Sequence, residues 1–344
     1  MNGINIFKNL KNVFIIAEAG VNHNGDLLKA YRLVDEAKKA GANAVKFQTS
    51  IPSKSISKYA KMAKYQIDNI GEETSMIEIA KKISLPFDSF KKLKKYCDEI
   101  GIIFLSTPFH LEAVDFLNDL VPYFKVASGE IVNYPLLKSI AKKKKPIILS
   151  TGMSCLSDVE GALRIIYNED NNNIIILHCT SNYPCPFNEV NLKAMQTLAA
   201  AFKLPVGYSD HTLGIEVPVA AVAMGAKIIE KHFTLDKKLP GPDHKASLEP
   251  SELKEMVKAI RNIEKALGNG IKKPNDSEIE IMKVARKSLI ATRDIRAEEI
   301  IKETDITIKR PGTGILPKFR EIVIGMKLIN SIRQDEPFRW ENFK

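Results

Sequence analysis

Residues 205–232 contain two short apolar runs that each end at a histidine, PVGYSDH (205–211) and AKIIEKH (226–232). Between them, residues 215–224 are apolar and rich in alanine, about the length of one helix that covers a sheet. A strand, a helix and a second strand in this order form a parallel pair, so both histidines stand at the same end of neighbouring strands. Two neutral imidazoles in this position can share one divalent cation.

The same alternation of a short apolar run with a helical stretch fills most of the chain. Helical periodicity follows each of eight apolar runs, at residues 14–17, 43–47, 102–105, 123–127, 146–149, 173–177, 205–208 and 226–229. Eight such repeats predict a (β/α)8 TIM barrel. A doubly wound open sheet is the alternative, although no G-x-G-x-x-G sequence follows the first strand. Residues 49–84 are too long for a plain connection, which predicts an insertion after the second strand.

The last part of the chain differs in character from the alternating part. Residues 268–285 are polar and contain glycine and proline, which predicts a linker after a barrel domain of residues 1–267. Residues 286–344 have short strand-like runs and the turn sequence RPGTG, which predicts a small second domain. A domain of about 60 residues is marginally stable alone, so we expect it to dock on its own barrel or on a partner's.

Composition argues against several classes of protein. The 344 residues carry a formal net charge of +10, but no basic helix is interleaved with aromatic residues, so nucleic-acid binding is not expected. The apolar runs are too short to cross a bilayer and the N-terminus lacks the apolar core of a secretion signal. These features predict a cytoplasmic protein with no membrane partner. The four cysteines form no C-x-x-C pair, and we expect free thiols.

Polar side chains gather where the predicted strands end, which is the end at which barrel enzymes carry their active sites. Lys46 and Lys125 lie within apolar runs, where an unpaired lysine is costly, so we expect them to bind a phosphate or a carboxylate. Hydroxyl groups for the same anion come from Thr107, Ser128, Ser150 and Ser209. Each of these hydroxyls is also a good helix cap, so only the set as a whole indicates a site.

His211 and His232 are the predicted ligands of a divalent metal, with water and substrate in the remaining positions. All six histidines lie at or just after predicted strand ends, which favours an enzyme over a chance distribution. The structural alternative is that the histidines only hydrogen-bond to loops. Carboxylates available as acid, base or hydroxyl-binding groups are Glu18, Asp210, Glu230 and Asp243. Glu230 also has a structural alternative, an ion pair with a neighbouring lysine, Lys231 or Lys227.

Ten motifs occur in order, AEAGVNHNG, VKFQT, STPF, KVASGE, ILSTGM, HCTSNYP, GYSDHTLG, EKHFTLD, GPDHKASLEP and KRPGTG. With them the chain resembles the bacterial sialic acid synthases, which make N-acetylneuraminate and related nonulosonic acids such as legionaminate. The resemblance runs from residue 14 to the end. It implies a TIM barrel, a C-terminal antifreeze-like (SAF) domain and a domain-swapped homodimer. It also implies that phosphoenolpyruvate condenses with the open-chain aldehyde of an N-acetylated hexosamine, with release of phosphate.

The resemblance further implies a role for individual residues. Glu18 would sit beside the reacting carbons, and His211 and His232 would bind Mn²⁺ or Mg²⁺. The residues implied to bind phosphoenolpyruvate are Lys46, Thr107, Lys125, Ser128, Ser150 and Ser209. The residues implied to face the sugar are Gln48, Glu130, Tyr183 and Asp243, together with Arg310 from the SAF domain of the partner. In the segment DIRAEEI, Glu298 stands where many relatives have glycine, which makes a turn there less comfortable.

The acceptor sugar is the part of the function that the residues leave open. We expect N-acetylmannosamine, which would give N-acetylneuraminate; the alternative is 2,4-diacetamido-2,4,6-trideoxymannose, which would give N,N'-diacetyllegionaminate. The insertion 49–84 is expected to help decide between them. Two hypotheses of other classes remain. A phosphosugar aldolase or isomerase would need a Schiff-base lysine or a pair of bases, and a non-catalytic sugar-binding protein would need no metal.

Overall fold

A computed structural model describes Phe7, residues 10–70 and residues 74–343, and it divides the chain into two compact units, Met1–Gly268 and Asn269–Lys344. Eight parallel strands form the sheet of the first unit: β1 (Phe14–Gly20), β2 (Ala44–Thr49), β3 (Ile103–Pro108), β4 (Phe124–Val126), β5 (Ile147–Ser150), β6 (Ile174–Cys179), β7 (Val206–Asp210) and β8 (Ile228–His232).

The eight strands form a nearly closed ring. They are hydrogen-bonded in the order β3-β2-β1-β8-β7-β6-β5-β4, and the two end strands, β3 and β4, lie next to each other. The pairing of β1 with β8 joins the first strand of the chain to the last, which an open doubly wound sheet does not do. The predicted TIM barrel is therefore confirmed.

Eleven helices accompany these strands in the described part of the first unit. Their bounds are α1 (Leu27–Ala40), α2 (Pro52–Ser55), α3 (Lys64–Ile70), α4 (Met76–Ile83), α5 (Phe87–Ile100), α6 (Leu111–Leu117), α7 (Tyr134–Lys142), α8 (Leu156–Tyr167), α9 (Ala194–Phe202), α10 (Glu216–Ala223) and α11 (Pro250–Leu267). Residues 187–189 form a separate 3₁₀ turn before helix α9.

Local chemistry sets the ends of the helices. Helix α1 begins after Asp26, whose carboxylate accepts hydrogen bonds from the backbone N–H groups of Leu28 and Lys29. It ends at Gly41, which has a φ of 87° and can adopt that left-handed conformation without the clash of a side chain. The apolar face between these caps is buried against the barrel and includes Leu33 and Val34. Caps and an apolar stripe thus determine where this helix lies.

The insertion predicted at residues 49–84 folds as three short helices, α2, α3 and α4, between β2 and α5. Residues 71–73 of that segment lie outside the described residues. Because β2 runs toward the carboxyl end of the barrel, the insertion begins at the end where the predicted site lies. Its helices are therefore candidates for the walls of that site.

The second unit has its own small core and two antiparallel strands, β9 (Ser288–Ala291) and β10 (Ile306–Lys309), in the part of the chain where strand-like runs were predicted. Its helices are α12 (Asp276–Ala285) and α13 (Arg320–Val323). Helix α12 lies inside the segment predicted as a linker, because Asn275 and Glu278 form a capping box that starts a helix there. A polar composition did not prevent helix formation once both ends of the cap were present.

Two sequence-based expectations can be compared directly with the structure. Cys97, Cys155, Cys179 and Cys185 are free thiols, as predicted. Within the described residues, every helix is too short or too polar to span a lipid bilayer.

Candidate active site

The carboxyl ends of the barrel strands surround a cavity of about 590 Å³. Its size is typical of small-molecule sites. Most of the predicted site residues line this cavity: Glu18, Lys46, Gln48, Thr107, Lys125, Ser128, Glu130, Ser150, Tyr183, Ser209, His211, Glu230, His232 and Asp243. The exceptions are Asp210 and Arg310. Arg310 belongs to the second unit, where its guanidinium Nε donates to the carbonyl of Ala285. The structure thus brings together side chains that are up to 225 residues apart in the sequence.

Lys46 lies on the floor of the cavity in contact with two neighbouring strands. Parallel pairing of β1 and β2 places Glu18 opposite Lys46, and Lys46 Nζ lies 2.8 Å from Glu18 Oε2. The same Nζ donates to Thr107 Oγ1 at 3.1 Å. Gln48 Nε2 donates to the other oxygen of Glu18 at 3.2 Å. Glu18 is therefore held between two donors.

Lys125 is the second buried lysine of the floor. Its Nζ donates to Ser150 Oγ at 2.7 Å and to the carbonyl of Val126 at 3.0 Å. Glu230 Oε1 lies 3.7 Å from the Nζ of both Lys125 and Lys46, and Ser209 Oγ donates to it at 3.4 Å. Glu230 is thus the carboxylate between the two lysines, a role that the sequence did not single out.

The structural alternative for Glu230, an ion pair with Lys231 or Lys227, is wrong. Side chains alternate between the two faces of a strand, so Glu230 and His232 point into the cavity while Lys231 points to the outer face of the sheet. There Lys231 forms a fully buried ion pair with Asp210 and also donates to the carbonyl of Thr212. Asp210, which was a candidate acid or base, is consequently a structural partner behind the site.

The two carboxylates of the floor have opposite pKa shifts. Burial raises the pKa of Glu18 to about 7, and the charge of Lys46 only partly opposes that rise. Burial also disfavours the charged form of Glu230, but the charges of Lys125 and Lys46 outweigh it and hold the pKa of this carboxyl below its usual value. Two lysines beside one firmly ionised carboxylate leave the floor positively charged. Such a floor suits a phosphate or a carboxylate.

His211 and His232 stand side by side with ring centroids 5.4 Å apart. His211 Nδ1 lies 2.7 Å from the carbonyl of Thr180, which only an N–H can satisfy, so the tautomer leaves Nε2 free to act as a ligand. His232 Nδ1 is buried and has no hydrogen-bond partner among the described residues. Both rings therefore present an available nitrogen in the cavity.

These two histidines suit a divalent ion whose other coordination positions are open to water and substrate. In the described part of the chain, no group of three or more His, Cys, Asp or Glu side chains is placed to hold a metal by itself. Asp243 Oδ2 is 3.8 Å from His232 Nδ1, and burial raises the pKa of Asp243 to about 6. An ion held here would depend on water and substrate oxygens for its other ligands.

An aromatic stack covers the histidines. The Tyr183 ring lies 4.0 Å from the His211 ring and 5.5 Å from the His232 ring, centroid to centroid. Tyr65 from helix α3 stacks on Tyr183 at 5.2 Å. Sequence analysis missed Tyr65, whose only signal was an aromatic residue in an insertion that follows the strand of Lys46. The insertion thus contributes directly to the covering of the site.

Glu130 and Cys179 also line the cavity. Glu130 Oε2 accepts a hydrogen bond from Asn133 Nδ2 at 2.7 Å, and burial raises the pKa of its carboxyl. Cys179, which sequence analysis did not select, lies 3.5 Å from Ser128 Oγ and 3.8 Å from His211 Nδ1. The strand alternation that places His178 outward could have placed Cys179 inward.

Comparison with known proteins agrees with this architecture. Residues 33–272 match the NeuB family and residues 286–344 match the SAF domain. The chain is 50% identical to the N,N'-diacetyllegionaminic acid synthase of Campylobacter jejuni, over 96% of this chain and 100% of that protein. It is 46% identical to the enzyme of the same name from Legionella pneumophila, over 100% of this chain and 98% of that protein.

A solved structure extends the comparison to three dimensions. The N-acetylneuraminic acid synthetase of Leptospira borgpetersenii, crystallised with citrate, is 40% identical and superposes with a TM-score of 0.68. The match covers 79% of this chain and 90% of that one. A family match over most of the chain, together with relatives that are aligned nearly end to end, establishes that the chain belongs to the NeuB family.

Proposed function

We propose that this enzyme condenses phosphoenolpyruvate with the open-chain aldehyde of an N-acetylated hexosamine to form a nonulosonic acid and inorganic phosphate. The observation that carries the proposal is the pair of buried lysines, Lys46 and Lys125, beside two histidines at one barrel end. Fixed positive charge next to available imidazole nitrogens suits an anionic substrate that reacts with a carbonyl compound. The names of the NeuB-family relatives agree with this reaction.

Phosphoenolpyruvate would bind on the floor of the barrel. Lys46 and Lys125 would neutralise its phosphate and carboxylate, and hydroxyl groups from four strand ends would donate hydrogen bonds to the same oxygens. Those hydroxyls belong to Thr107, Ser128, Ser150 and Ser209. Hydrogen bonds with Lys46, Lys125, Glu230 and the backbone N–H of Gly152 already hold these hydroxyl groups, so little reorganisation is needed when the anion arrives.

We propose Mn²⁺ or Mg²⁺ as the cofactor, held by His211 and His232. When bound, the metal would supply Lewis-acid polarisation of the aldehyde oxygen and hold the water that reacts. The chain's own part is to orient both imidazoles and to keep that of His232 neutral. The carbonyl of Thr180 fixes the ring of His211, and burial with the nearby His211 keeps the pKa of His232 well below its usual value.

The proposed reaction forms one C–C bond and breaks one C–O bond. The C3 carbon of the enolpyruvate attacks the aldehyde carbon, whose oxygen takes up a proton to become a hydroxyl. Water adds to the electron-poor C2, and phosphate then leaves by C–O cleavage as the keto group forms. Glu18 would stabilise the positive character that develops at C2, and the contact of its carboxylate with Lys46 supports this role by holding it in place. Loss of phosphate makes the sequence practically irreversible.

For the acceptor, the relatives favour the alternative over N-acetylmannosamine. The relatives from Campylobacter jejuni and Legionella pneumophila, at 50% and 46% identity, are both named as N,N'-diacetyllegionaminic acid synthases. We therefore place 2,4-diacetamido-2,4,6-trideoxymannose first and keep N-acetylmannosamine as the competing acceptor. Gln48, Glu130, Tyr183 and Asp243 line the cavity in positions from which they could bind the sugar.

We further propose a domain-swapped homodimer that acts in the cytoplasm, where phosphoenolpyruvate is available. In this assembly the partner subunit's Arg310 would reach the acyl group of the sugar. The SAF domain match supports the presence of the module that would be exchanged. Sedimentation velocity tests the dimer, and Arg310→Ala should raise the KM for the sugar with little change in the KM for phosphoenolpyruvate.

Phosphate release from phosphoenolpyruvate tests the reaction. We expect release only when an acceptor sugar is present, with Mn²⁺ added, and loss of release after chelation. Binding of sugar without release would indicate a sugar-binding protein, and inactivation by borohydride with sugar would indicate a Schiff-base aldolase. His211→Ala should abolish Mn²⁺ binding in calorimetry. Unchanged binding of both Mn²⁺ and phosphoenolpyruvate by that variant would show that the metal assignment is wrong.

A further inference from the structure

We propose that the cavity-facing side of helix α4 is the wall that selects the acceptor sugar, by contacting methyl groups at its far end. The occupant would be an acceptor that carries a 6-deoxy methyl group and a second acetamido group. This inference rests on the proposed function, because it concerns the same cavity. It goes further by assigning acceptor choice to one face of one helix.

The apolar face of α4 has the spacing of a helical stripe. Met76, Ile79, Ala80 and Ile83 follow the i, i+3, i+4, i+7 pattern, and all four line the cavity. Each is half-buried, and no residue of α4, which is described in full, is fully buried. A stripe of this kind normally packs on a protein core. Here it forms a wall of the substrate cavity instead.

Contacts on either side hold the insertion over the cavity. Asn69 Nδ2 in α3 donates to the carbonyl of Pro242 at 2.6 Å, next to Asp243. At the other end, a Cβ on Gly25 would approach the carbonyl of Lys82 to 2.4 Å, so the loop after β1 packs closely against the end of α4. The insertion is thus attached to the loops after β1 and β8. Its apolar wall is a built part of the cavity.

The position of the stripe matches the part of the acceptor that differs between the two candidate sugars. The reacting aldehyde must lie near the floor, where Glu18, Lys46 and the histidines are, so the rest of the sugar extends toward the insertion. N-acetylmannosamine has hydroxyl groups at C4 and C6, whereas the diacetamido sugar has an acetamido group at C4 and a methyl group at C6. An apolar wall leaves a hydroxyl without a hydrogen-bond partner, and it packs well against methyl groups.

Three acceptors test the contributions of C4 and C6 separately. They are 2,4-diacetamido-2,4,6-trideoxymannose, N-acetylmannosamine and 2-acetamido-2,6-dideoxymannose, the last of which differs from N-acetylmannosamine only at C6. For the unsubstituted enzyme we expect kcat/KM to favour the diacetamido sugar over N-acetylmannosamine by about 10- to 200-fold, the range of discrimination by a few apolar groups. The kcat/KM for 2-acetamido-2,6-dideoxymannose should lie between the values for the other two sugars. The measurement is initial-rate phosphate release at saturating phosphoenolpyruvate.

Helix α4 offers a matched pair of isoleucines for the decisive comparison. Ile79→Ser should reduce the preference about tenfold by raising the KM for the diacetamido sugar, with the KM for phosphoenolpyruvate unchanged. Ile77→Ser introduces the same change in the same helix, but Ile77 does not line the cavity. The acceptor preference of this variant should therefore equal that of the unsubstituted enzyme. Met76→Gln keeps the side-chain length and the helix propensity, and it provides the test if Ile79→Ser does not fold.

The outcomes separate this inference from the proposed function. Phosphate release with a preference for N-acetylmannosamine would overturn the inference and leave the function standing. An unchanged preference in Ile79→Ser and Met76→Gln would also overturn it. If Ile79→Ser weakened the dimer in sedimentation velocity without altering the preference, the wall would be covered by protein rather than by sugar. A lack of phosphate release with all three sugars would overturn the proposed function and the inference together.

Discussion

The floor of the cavity and the inserted helices above it are built in different ways. On the floor, Lys46, Lys125 and Glu230 project from parallel strands of the ring, are nearly inaccessible to solvent, and are fixed by contacts with one another. In the insertion, α2, α3 and α4 are short, and the cavity-lining residues of α3 and α4 are only half-buried. Under the proposed function, groups for the chemistry would come from the strands of the ring, and groups for acceptor choice would come from a segment that can vary without disturbing the ring.

The largest expected effect tests the floor. Lys125→Met removes one of two buried positive charges, and we expect kcat/KM to fall by roughly a thousandfold, because a fixed charge aimed at an anion is lost. Steady-state phosphate release measures the fall. The double variant Lys125→Met/Glu230→Gln should have a Tm at least as high as that of Lys125→Met, because it removes a buried carboxylate that has lost one of its two lysine partners. It should nevertheless remain inactive. Recovery of activity in the double variant would contradict a direct role for Lys125.

The next effect concerns the stability of the loop that follows β1. His23 is buried, its Nε2 has no hydrogen-bond partner among the described residues, and burial lowers its pKa to about 4. The unfolded chain, in which the pKa of a histidine is about 6.5, therefore binds the proton more readily. The contribution of His23 to the free energy of unfolding is fully present above the pKa of the unfolded state, about 6.5, and it is lost as the pH drops toward 4. Between pH 7 and pH 5 the loss is about 2 kcal/mol.

Denaturant unfolding at both pH values measures this contribution. In His23→Gln, whose side chain can still accept the hydrogen bond that Gly25 N donates to His23 Nδ1 at 3.1 Å, the loss of stability between pH 7 and pH 5 should shrink by about that amount. His244, whose pKa is also lowered to about 4 by burial, should account for part of the remainder. Equal pH dependence in both proteins would show that His23 is not buried in its neutral form.

A smaller effect tests the insertion. Tyr65→Ala removes the ring that stacks on Tyr183 at 5.2 Å, and an aromatic pair contributes about 0.5–1.5 kcal/mol. We expect up to about a tenfold rise in the KM for the acceptor, with the KM for phosphoenolpyruvate unchanged. Tyr59→Ala is the matched control, because Tyr59 belongs to the same insertion and is 81% exposed. A change in both KM values would indicate that the insertion also shapes the floor.

The smallest expected effect lies outside both regions, in the second unit. Glu298 has a φ of 71°, a left-handed conformation that glycine adopts without strain. Glu298→Gly should stabilise the protein by about 0.5 kcal/mol, since relief of the strain is partly offset by the freedom glycine gains in the unfolded chain. Glu298→Ala, which removes the exposed pair with Lys327 but keeps the strain, should give no such gain. Thermal unfolding compares the two.

Sequence periodicity was sufficient for the barrel strands and for the end of the barrel that carries the candidate site. It was insufficient where neighbours in space come from distant strands. Glu230 had an adjacent lysine at Lys231, yet its charge partners are Lys46 and Lys125 from β2 and β4. Strand alternation alone could have excluded Lys231, but only closure of the ring brings the other two lysines near Glu230. The same holds for Tyr65, whose partner Tyr183 follows β6 on another side of the cavity.

What the sequence determined by itself is the alternation of buried runs and amphipathic helices, and with it the barrel and the histidines at its strand ends. Burial of apolar surface and backbone hydrogen bonding follow from local pattern, so they can be inferred from residue order. The tertiary structure decided which charges face each other, which aromatic ring covers the histidines, and that the stripe of α4 faces a cavity. Those outcomes depend on distances between elements, because electrostatic and packing energies are set by separation in space and not by separation along the chain.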